Sequence, residues 1–550
     1  MDTTGAAAGD LQGVTRDLLE EWGVVAARIR PVVLALAAGR WHTIGDLVRD
    51  HGVSRRTVER LAAALDPWIE QQGGRLRVRD QERAAVLAEW TPPACTATAP
   101  QDVERTMADL MRGLPPSDRG LDHVPATPAT AVRRAHFLAE TFDLAGASVL
   151  CLGDHDLTSL ALAQLCPAAE IAAVDVDERL LGYIGRVAEE RGWRVRPLFA
   201  DLRVEVPPSV REACDLLFTD PPYTPAGAHL FLVRGLAALR RRDASRAVFC
   251  YGYGERQPAL GLKAQAEYHR LHLLAEAILP GFNRYAGAEA LGAASSLYVC
   301  RPTRRTWAAL ARARPVDPRI YSQGESAETS RLEPLPQPLV ERVRRATGED
   351  RPLLVGERWL PDLAARCETL ALARYLEDVR ARGGRPPFTG PPHGGVVAVD
   401  LHPHFGGYLP RLLLTAAARR LVAVVSAEVA AELLGGPLAA LVGVRYRAAH
   451  VPGEPSLVVA DRLDAEPEDR VGRTLHRLLD RPAATLGSAW REALIGAMAA
   501  EGRTLTKNGA RAAIAATATG RLYGRCHLSE LPLDRLCNLA EEVASSLESL

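Results

Sequence analysis

The chain has 550 residues, 47% of them hydrophobic and 24% charged, several times the length at which one core forms comfortably, so two or three domains are expected. Lys plus Arg and Asp plus Glu each number 67, a balance that gives no general attraction for polyanions, so any nucleic-acid binding has to be local. The nine cysteines are odd in number, scattered and nowhere spaced C-x-x-C, which excludes a disulfide framework or a cysteine-built zinc site as the organising principle.

The opening MDTTGAAAGD lacks the basic-then-apolar layout of a secretory signal, and no apolar run approaches the ~20 residues of a membrane span. A cytoplasmic location with no membrane partner is expected. Residues 14–79 read as three helices followed by a short ribbon. Thr43 and Asp46 open one helix, Gly52 ends it, and Ser54 caps the next, which carries Val58, Leu61, Leu65 and Ile69 at helical spacing. Gly73-Gly74 then turns into the alternating run Arg75-Leu76-Arg77-Val78-Arg79, the pattern of a winged helix over 1–90. Arg55, Arg56 and Arg60 would face a DNA groove if the unit bound one. A balanced charge favours the other reading, in which the unit packs on the rest of the chain or makes a homodimer.

Residues 91–147 read as a connector rich in Pro, Thr and Ala, ending in a helix from Pro128 that carries Arg133 and Arg134. Over 148–300 strands and helices alternate: strands 148–152, 171–176, 195–199, 216–219 and 247–251, and helices 157–165, 179–191 and 228–239. Alternation at this length predicts an α/β domain, a Rossmann-like parallel sheet with helices on both faces and its ligand at the carboxyl ends of the strands. Residues 301–350 read as a linker or lid, and 351–550 as a further α/β domain with strands at 395–401 and 420–426 and a final amphipathic helix at 533–547. No internal repeat stands out.

Acidic residues stand at the ends of the predicted strands: Asp154 and Asp156, Asp175 and Asp177, Asp201, and Asp220. Asp175, ending the second strand, suits ribose hydroxyls, and Asp201 suits an adenine amino group. Any one of them alone also fits a helix N-cap. The first loop, Gly153-Asp154-His155-Asp156, replaces the glycines of a nucleotide loop with carboxylates that repel a phosphate or an amino-acid carboxylate and attract ammonium and sulfonium groups. It argues against NAD and against ordinary S-adenosylmethionine, and fits the decarboxylated form. Asp220-Pro221-Pro222-Tyr223 follows an apolar strand; its rigid turn offers Asp220 and backbone carbonyls to an amine while Tyr223 packs on the substrate. The tetrapeptide also looks like the amine-binding motif of adenine-N6 and cytosine-N4 methyltransferases. In Asp400-Leu401-His402-Pro403-His404, after the strand at 396–399, alternate residues could converge as metal ligands do, but the further ligand and supporting contacts such a site needs are not identifiable, and no metal is expected.

The run Asp122-His123-Val124-Pro125-Ala126-Thr127, the strand and loop from Val149 to Ser159, the Asp175-Val176-Asp177 pair and Asp220-Pro221-Pro222 together resemble the branched-chain polyamine synthases, the N4-bis(aminopropyl)spermidine synthases. The resemblance covers roughly 40–330 and is strongest over 122–225. It implies a winged helix followed by a Rossmann-like catalytic domain, and transfer of aminopropyl groups from decarboxylated S-adenosylmethionine to an amine of spermidine, releasing methylthioadenosine. It implies Asp156 as the base and Asp220 as holder of the acceptor amine, with Asp154 holding the donor amine; from the residues themselves, Pro221, Pro222 and Tyr223 are expected against the substrate, as is His155, whose near-neutral pKa could also share in proton shuttling. Glu325, in Tyr321-Ser322-Gln323-Gly324-Glu325, resembles the family's mobile acidic tail. Three features depart: His155 replaces the middle acid of a Gly-Asp-Asp-Asp loop, Tyr223 stands where the family usually has Glu, and 352–550 has no counterpart in compact members. The competing readings are a methyltransferase of RNA or DNA amino groups and a winged-helix regulator that senses a small molecule. The leading one requires Asp154, Asp156 and Asp220 to share one cleft, unpaired with buried arginine.

Overall fold

The computed structural model describes residues 10–92, 100–287, 292–312, 319–322, 333–349, 351–381 and 395–550. In the N-terminal unit Thr43 and Asp46 form a reciprocal capping box at the head of helix Ile44–His51, which closes on Gly52 at φ +61°, a left-handed conformation that glycine adopts without steric cost. Ser54 caps helix Arg55–Ala64, and the ribbon Ile69–Gln72 and Arg75–Val78 joins His42–Thr43 in a three-stranded antiparallel sheet. The helices and closing ribbon follow one another as expected, but four α-helices, Leu11–Trp22, Arg30–Ala37, Ile44–His51 and Arg55–Ala64, precede the ribbon instead of three, and Ile69, expected on the last helix, begins the ribbon. Arg55 bonds Glu59 at 2.8 Å and Arg60 pairs with Glu21, which lowers the positive field the helix presents to a polyanion.

The stretch expected to be a bare connector contains a three-turn helix, Pro100–Arg112, which buries Val103, Met107 and Leu110. Beyond it lies the central sheet, whose strands we number β1 Ser148–Leu152, β2 Glu170–Asp175, β3 Val195–Phe199, β4 Leu216–Thr219, β5 Arg246–Tyr251, β6 Leu274–Arg284 and β7 Ala294–Arg301. They lie in the order β3-β2-β1-β4-β5-β7-β6. The first five are parallel and β7 is antiparallel to both β5 and β6. The parallel strands are buried along most or all of their length, as strands covered on both faces by helices must be. The carboxyl ends of β1, β2 and β4 therefore open side by side.

A second sheet follows: β8 Leu353–Val355, β9 Thr369–Leu370, β10 Val396–Asp400, β11 Arg420–Val425, β12 Tyr446–Val451 and β13 Ser456–Arg462, in the order β9-β8-β10-β11-β13-β12. Helix Gln337–Thr347 packs against it through Leu339, Val340 and Val343, so this lobe begins inside the stretch expected to be a linker. The stretch also holds helix Arg304–Ala311. One apolar cluster runs from the central sheet into the second sheet and the C-terminal helices. Across that seam Arg411 lies 3.5 Å over the Phe199 ring and bonds Glu178 at 2.6 Å, and Arg535 bonds Glu189 at 2.8 Å. No helix among the described residues is long and apolar enough to cross a membrane.

Candidate active site

The loop after β1 is shaped by two residues in left-handed backbone. Gly153 stands at φ +68° and Leu157 at φ +55°, which turns the chain sharply into helix Thr158–Leu165. Gly153 donates its N–H to the Val174 carbonyl of β2 at 2.9 Å, and that bond seats the loop on the end of the sheet. Asp154 folds back so that both carboxylate oxygens lie 3.2 Å from the Ser159 N–H at the start of the helix. A helix N-terminus is where a ligand's anion is ordinarily held; here the chain fills that place with its own carboxylate. Burial pushes the Asp154 carboxyl up to about 7, with Asp156 and Asp175 adding to the effect against the Ser159 bonds.

Asp175 ends β2. Its Oδ1 accepts the N–H groups of Val176 at 2.7 Å and Asp177 at 2.9 Å, while burial pushes its carboxyl up to about 6. Asp177 caps the following helix and holds Arg179 at 2.7 Å. Burial opposes its ionisation, but the Arg179 bonds outweigh that and place its carboxyl below the usual range.

Asp156 and Asp220 are brought together, but not as bare carboxylates. Arg134, fully buried on helix Pro128–Thr141, bonds Asp156 Oδ2 at 2.7 Å and Asp220 Oδ2 at 2.5 Å. The expectation of an arginine-free nest is thereby corrected. Two buried carboxylates at one place need a cation between them, and the helix preceding β1 supplies it. Asp156 Oδ1 also accepts the Ala126 N–H at 2.6 Å, which ties the Asp122–Thr127 run to the loop. Asp220 further accepts the Tyr223 hydroxyl on Oδ1 at 2.7 Å and the Tyr285 hydroxyl on Oδ2 at 2.8 Å. Burial pushes the Asp220 carboxyl up, opposed by Arg134 and reinforced by Asp156. Tyr223 therefore orients the carboxylate as well as following the Pro221-Pro222 turn. Arg134 in turn bonds Asn283 at 2.8 Å and Tyr285 at 3.0 Å, both from the β6 side.

His155 packs flat on His123, with ring centroids 4.2 Å apart, and its Nε2 lies 3.1 Å from the Ser117 hydroxyl. Burial lowers the pKa of both rings, so a neutral pair stands where the polyamine-synthase loop has an acid. His155 Nδ1, Thr158 Oγ1 and Ser159 Oγ are buried without a hydrogen-bond partner. The first lies on the loop and the other two in the first turn of the helix, so three polar atoms are left open at the end of β1.

Asp201 does not fit its expected role. Arg203 grips its carboxylate through Nε at 2.9 and 3.1 Å and through the terminal nitrogen at 2.6 Å, and the Arg203 N–H takes Oδ1 at 2.9 Å. That leaves little acceptor capacity for an adenine amino group. Glu325 lies outside the described residues, but Ser322, three residues before it, donates its N–H and hydroxyl to Asp122 at 2.7 Å each. Tyr321 is buried over Arg203, 5.7 Å from its guanidinium. Residues 319–322 are thus tied to Asp122 and lie against Arg203. In the second lobe Asp400 is engaged by Arg358, and no group of metal-ligating side chains occurs among the described residues.

Arg134, Tyr285 and Asn283 carry the site's hydrogen bonding and were not assigned a role from the sequence. The signal for Arg134 was its place beside the Asp122–Thr127 motif. Tyr285 and Asn283 gave none, since they belong to β6 and β7's neighbourhood, which pairing alone defines.

Residues 102–325 match a family model described as the branched-chain polyamine synthase A C-terminal domain. An uncharacterized protein of Methanocaldococcus jannaschii is 35% identical over 184 residues, 34% of this chain and 46% of that protein. The N(4)-bis(aminopropyl)spermidine synthase of the same organism is 33% identical over 141 residues, 26% of this chain and 40% of that enzyme. The match spans less than half the length of these archaeal relatives. The synthase of that name from Thermus thermophilus is 28% identical over 276 residues, 49% of this chain and 73% of the enzyme. Among solved structures, the T. thermophilus branched-chain polyamine synthase in complex with N4-aminopropylspermidine and 5'-methylthioadenosine aligns over 57% of this chain and 96% of its own at 21% identity, with a TM-score of 0.34.

Proposed function

We propose that this chain, whose segment 102–325 is a branched-chain polyamine synthase domain, is an aminopropyltransferase that alkylates an amine of a polyamine such as spermidine. The donor is decarboxylated S-adenosylmethionine. One observation carries the choice of donor: Asp154 occupies the helix N-terminus at Ser159. An ordinary methionine carboxylate would meet a carboxylate where it needs N–H groups, whereas a tail carrying only an amine and a sulfonium meets Asp154 and Asp175 as counter-charges. The orphaned His155 Nδ1, Thr158 Oγ1 and Ser159 Oγ suit the amine and ribose of such a ligand.

The acceptor nitrogen attacks the methylene beside sulfur in line with the leaving group. The C–N bond forms as the C–S bond breaks, and the bonding pair returns to sulfur as a neutral thioether. An alkylamine is protonated near neutrality, so a proton must leave the nitrogen and the lone pair must be aimed. Asp156 takes the proton in this reading, which is supported by the further lone pair each of its oxygens keeps beyond the bonds to Ala126 and Arg134. Asp220, fixed by Tyr223, Tyr285 and Arg134, holds a neighbouring amine. Arg134 keeps these two carboxylates 2.7 and 2.5 Å from one guanidinium, a rigid pair of acceptors rather than a mutually repelling one.

The Asp-Pro-Pro-Tyr sequence favours a second reading, methyl transfer to a nucleobase amino group. Incubation with spermidine and either sulfonium donor separates the two. Methylthioadenosine with a branched polyamine is the expected product; S-adenosylhomocysteine formed only with a nucleic acid would overturn the proposal.

A further inference from the structure

The six strands of the second lobe repeat six of the seven strands of the first; β3 alone has no counterpart. Replacing β1, β2, β4, β5, β6 and β7 by β8, β9, β10, β11, β12 and β13 turns the order β2-β1-β4-β5-β7-β6 into β9-β8-β10-β11-β13-β12. The parallel and antiparallel senses agree at every step. Register agrees too. Leu152 pairs with Val174 and Thr219, and the next residue, Gly153, bonds the Val174 carbonyl at 2.9 Å; Val355 pairs with Leu370 and Val399, and Gly356 bonds the Leu370 carbonyl at 2.9 Å. Both glycines have positive φ, +68° and +117°. By this register Asp400 corresponds to Asp220, Glu357 to Asp154, Arg358 to His155 and Trp359 to Asp156.

The correspondences show what the second lobe has given up. Arg358 lies in the loop itself and bonds both oxygens of Asp400 at 2.8 Å and the His402 carbonyl at 2.5 Å. Asp400 is thus held by a chain arginine as Asp220 is by Arg134, but here the arginine comes from the loop itself, and Trp359 removes the second acid. The loop after β10 meanwhile reaches the other lobe. Phe405 lies 5.1 Å from the Arg203 guanidinium, the His404 carbonyl accepts from Arg203 at 3.4 Å, and the Tyr408 hydroxyl lies 3.3 Å from the Asp201 N–H. Arg203 is thus held between Phe405 and Tyr321 while it grips Asp201 at the carboxyl end of β3.

We infer that the second lobe is a non-catalytic copy of the first, its loop occupied by Arg358 and Trp359 where the first lobe has His155 and Asp156, and that its loop 401–405 walls the nucleoside end of the first lobe's cleft, with Phe405 positioning Arg203. The inference rests on the adenosyl-binding reading of the first lobe and assigns a task to residues that reading leaves unused. Phe405 acts through Arg203 and is a positioning residue, not a catalytic one.

Calorimetry of the full chain with 5'-methylthioadenosine tests both halves. Wild type should bind one nucleoside per chain. Phe405→Leu, which keeps apolar volume but removes the ring face, should weaken that binding about tenfold, the order of a desolvated cation–π contact. The acceptor KM and the melting temperature should stay as in wild type, and Phe405→Tyr should restore affinity. Two nucleosides per chain, or full affinity in Phe405→Leu, would overturn the inference, as would a leucine variant whose affinity falls only in step with its melting temperature. Wild type that binds one nucleoside yet makes no methylthioadenosine from the decarboxylated donor would sink the proposed reaction and leave this inference standing; wild type that binds no nucleoside sinks both.

Discussion

Asp154→Asn isolates the group on which the choice of donor depends. The side chain is 2% exposed and its carboxyl is pushed from an ordinary 3.8 up to about 7, chiefly by burial. The folded chain therefore keeps a proton that the unfolded chain releases near pH 4. Stability must fall as pH rises between those limits, because the unfolded state binds fewer protons there. At about 1.4 kcal/mol per pH unit the whole interval is worth roughly 4 kcal/mol, all of it lost by pH 8. Asparagine keeps the acceptor oxygen for Ser159 and cannot ionise. The variant should match wild type near pH 4, lack this component of the fall, and melt several degrees higher at pH 8. Binding should change in the opposite sense. A cationic tail binds the ionised carboxylate, so wild-type affinity for the decarboxylated donor should rise about tenfold per pH unit below 7 and level off above it. The variant should bind weakly at every pH and lose its discrimination against the carboxylated donor. Thermal melts and calorimetric titrations from pH 5 to 9 read all of this. Superimposable pH–stability curves for the two proteins would refute the assignment of a buried, proton-holding Asp154.

Arg134→Ala leaves Asp156 and Asp220 buried without their shared cation, and about 3–5 kcal/mol of stability should go with it, measured by denaturant unfolding followed at the central lobe; a loss under 1 kcal/mol would show that the bridge is not sustained in solution. Asp156→Asn should reduce kcat by 100-fold or more in the methylthioadenosine assay while donor affinity changes little, the pattern of a lost proton acceptor; undiminished turnover would remove it from that role. Tyr223→Phe deletes one of the three donors to Asp220, and should raise the acceptor KM several-fold, at a cost of about 1–2 kcal/mol, with donor KM unchanged. A donor-side effect instead would place Tyr223 elsewhere in the cleft.

The strands β1 to β5 were legible because a doubly covered strand is a short apolar run between turn residues. β6 was not, because Pro280 and Gly281 interrupt it and its outward residues Leu274 and Ile278 are exposed; only pairing with β7 makes it a strand. The carboxylates were legible through their place after strands. Their partners were not. Asp201 has Arg203 two residues on where Asp175 has Asp177, and that arginine is held by Phe405 and Tyr321, contacts made by segments distant in the chain.

What the sequence by itself determined is the local part: the alternation that builds the central sheet, the acidic first loop, and the Asp-Pro-Pro-Tyr turn, each encoded within a dozen contiguous residues by periodicity, charge and proline geometry. Only the tertiary structure decided that Arg134 bridges Asp156 and Asp220, that Arg203 occupies Asp201, and that the second lobe copies the first. Strand order and register are relations between segments, and apolar strands of different composition satisfy them equally well, so two stretches can share a backbone arrangement with no repeat visible in their residues.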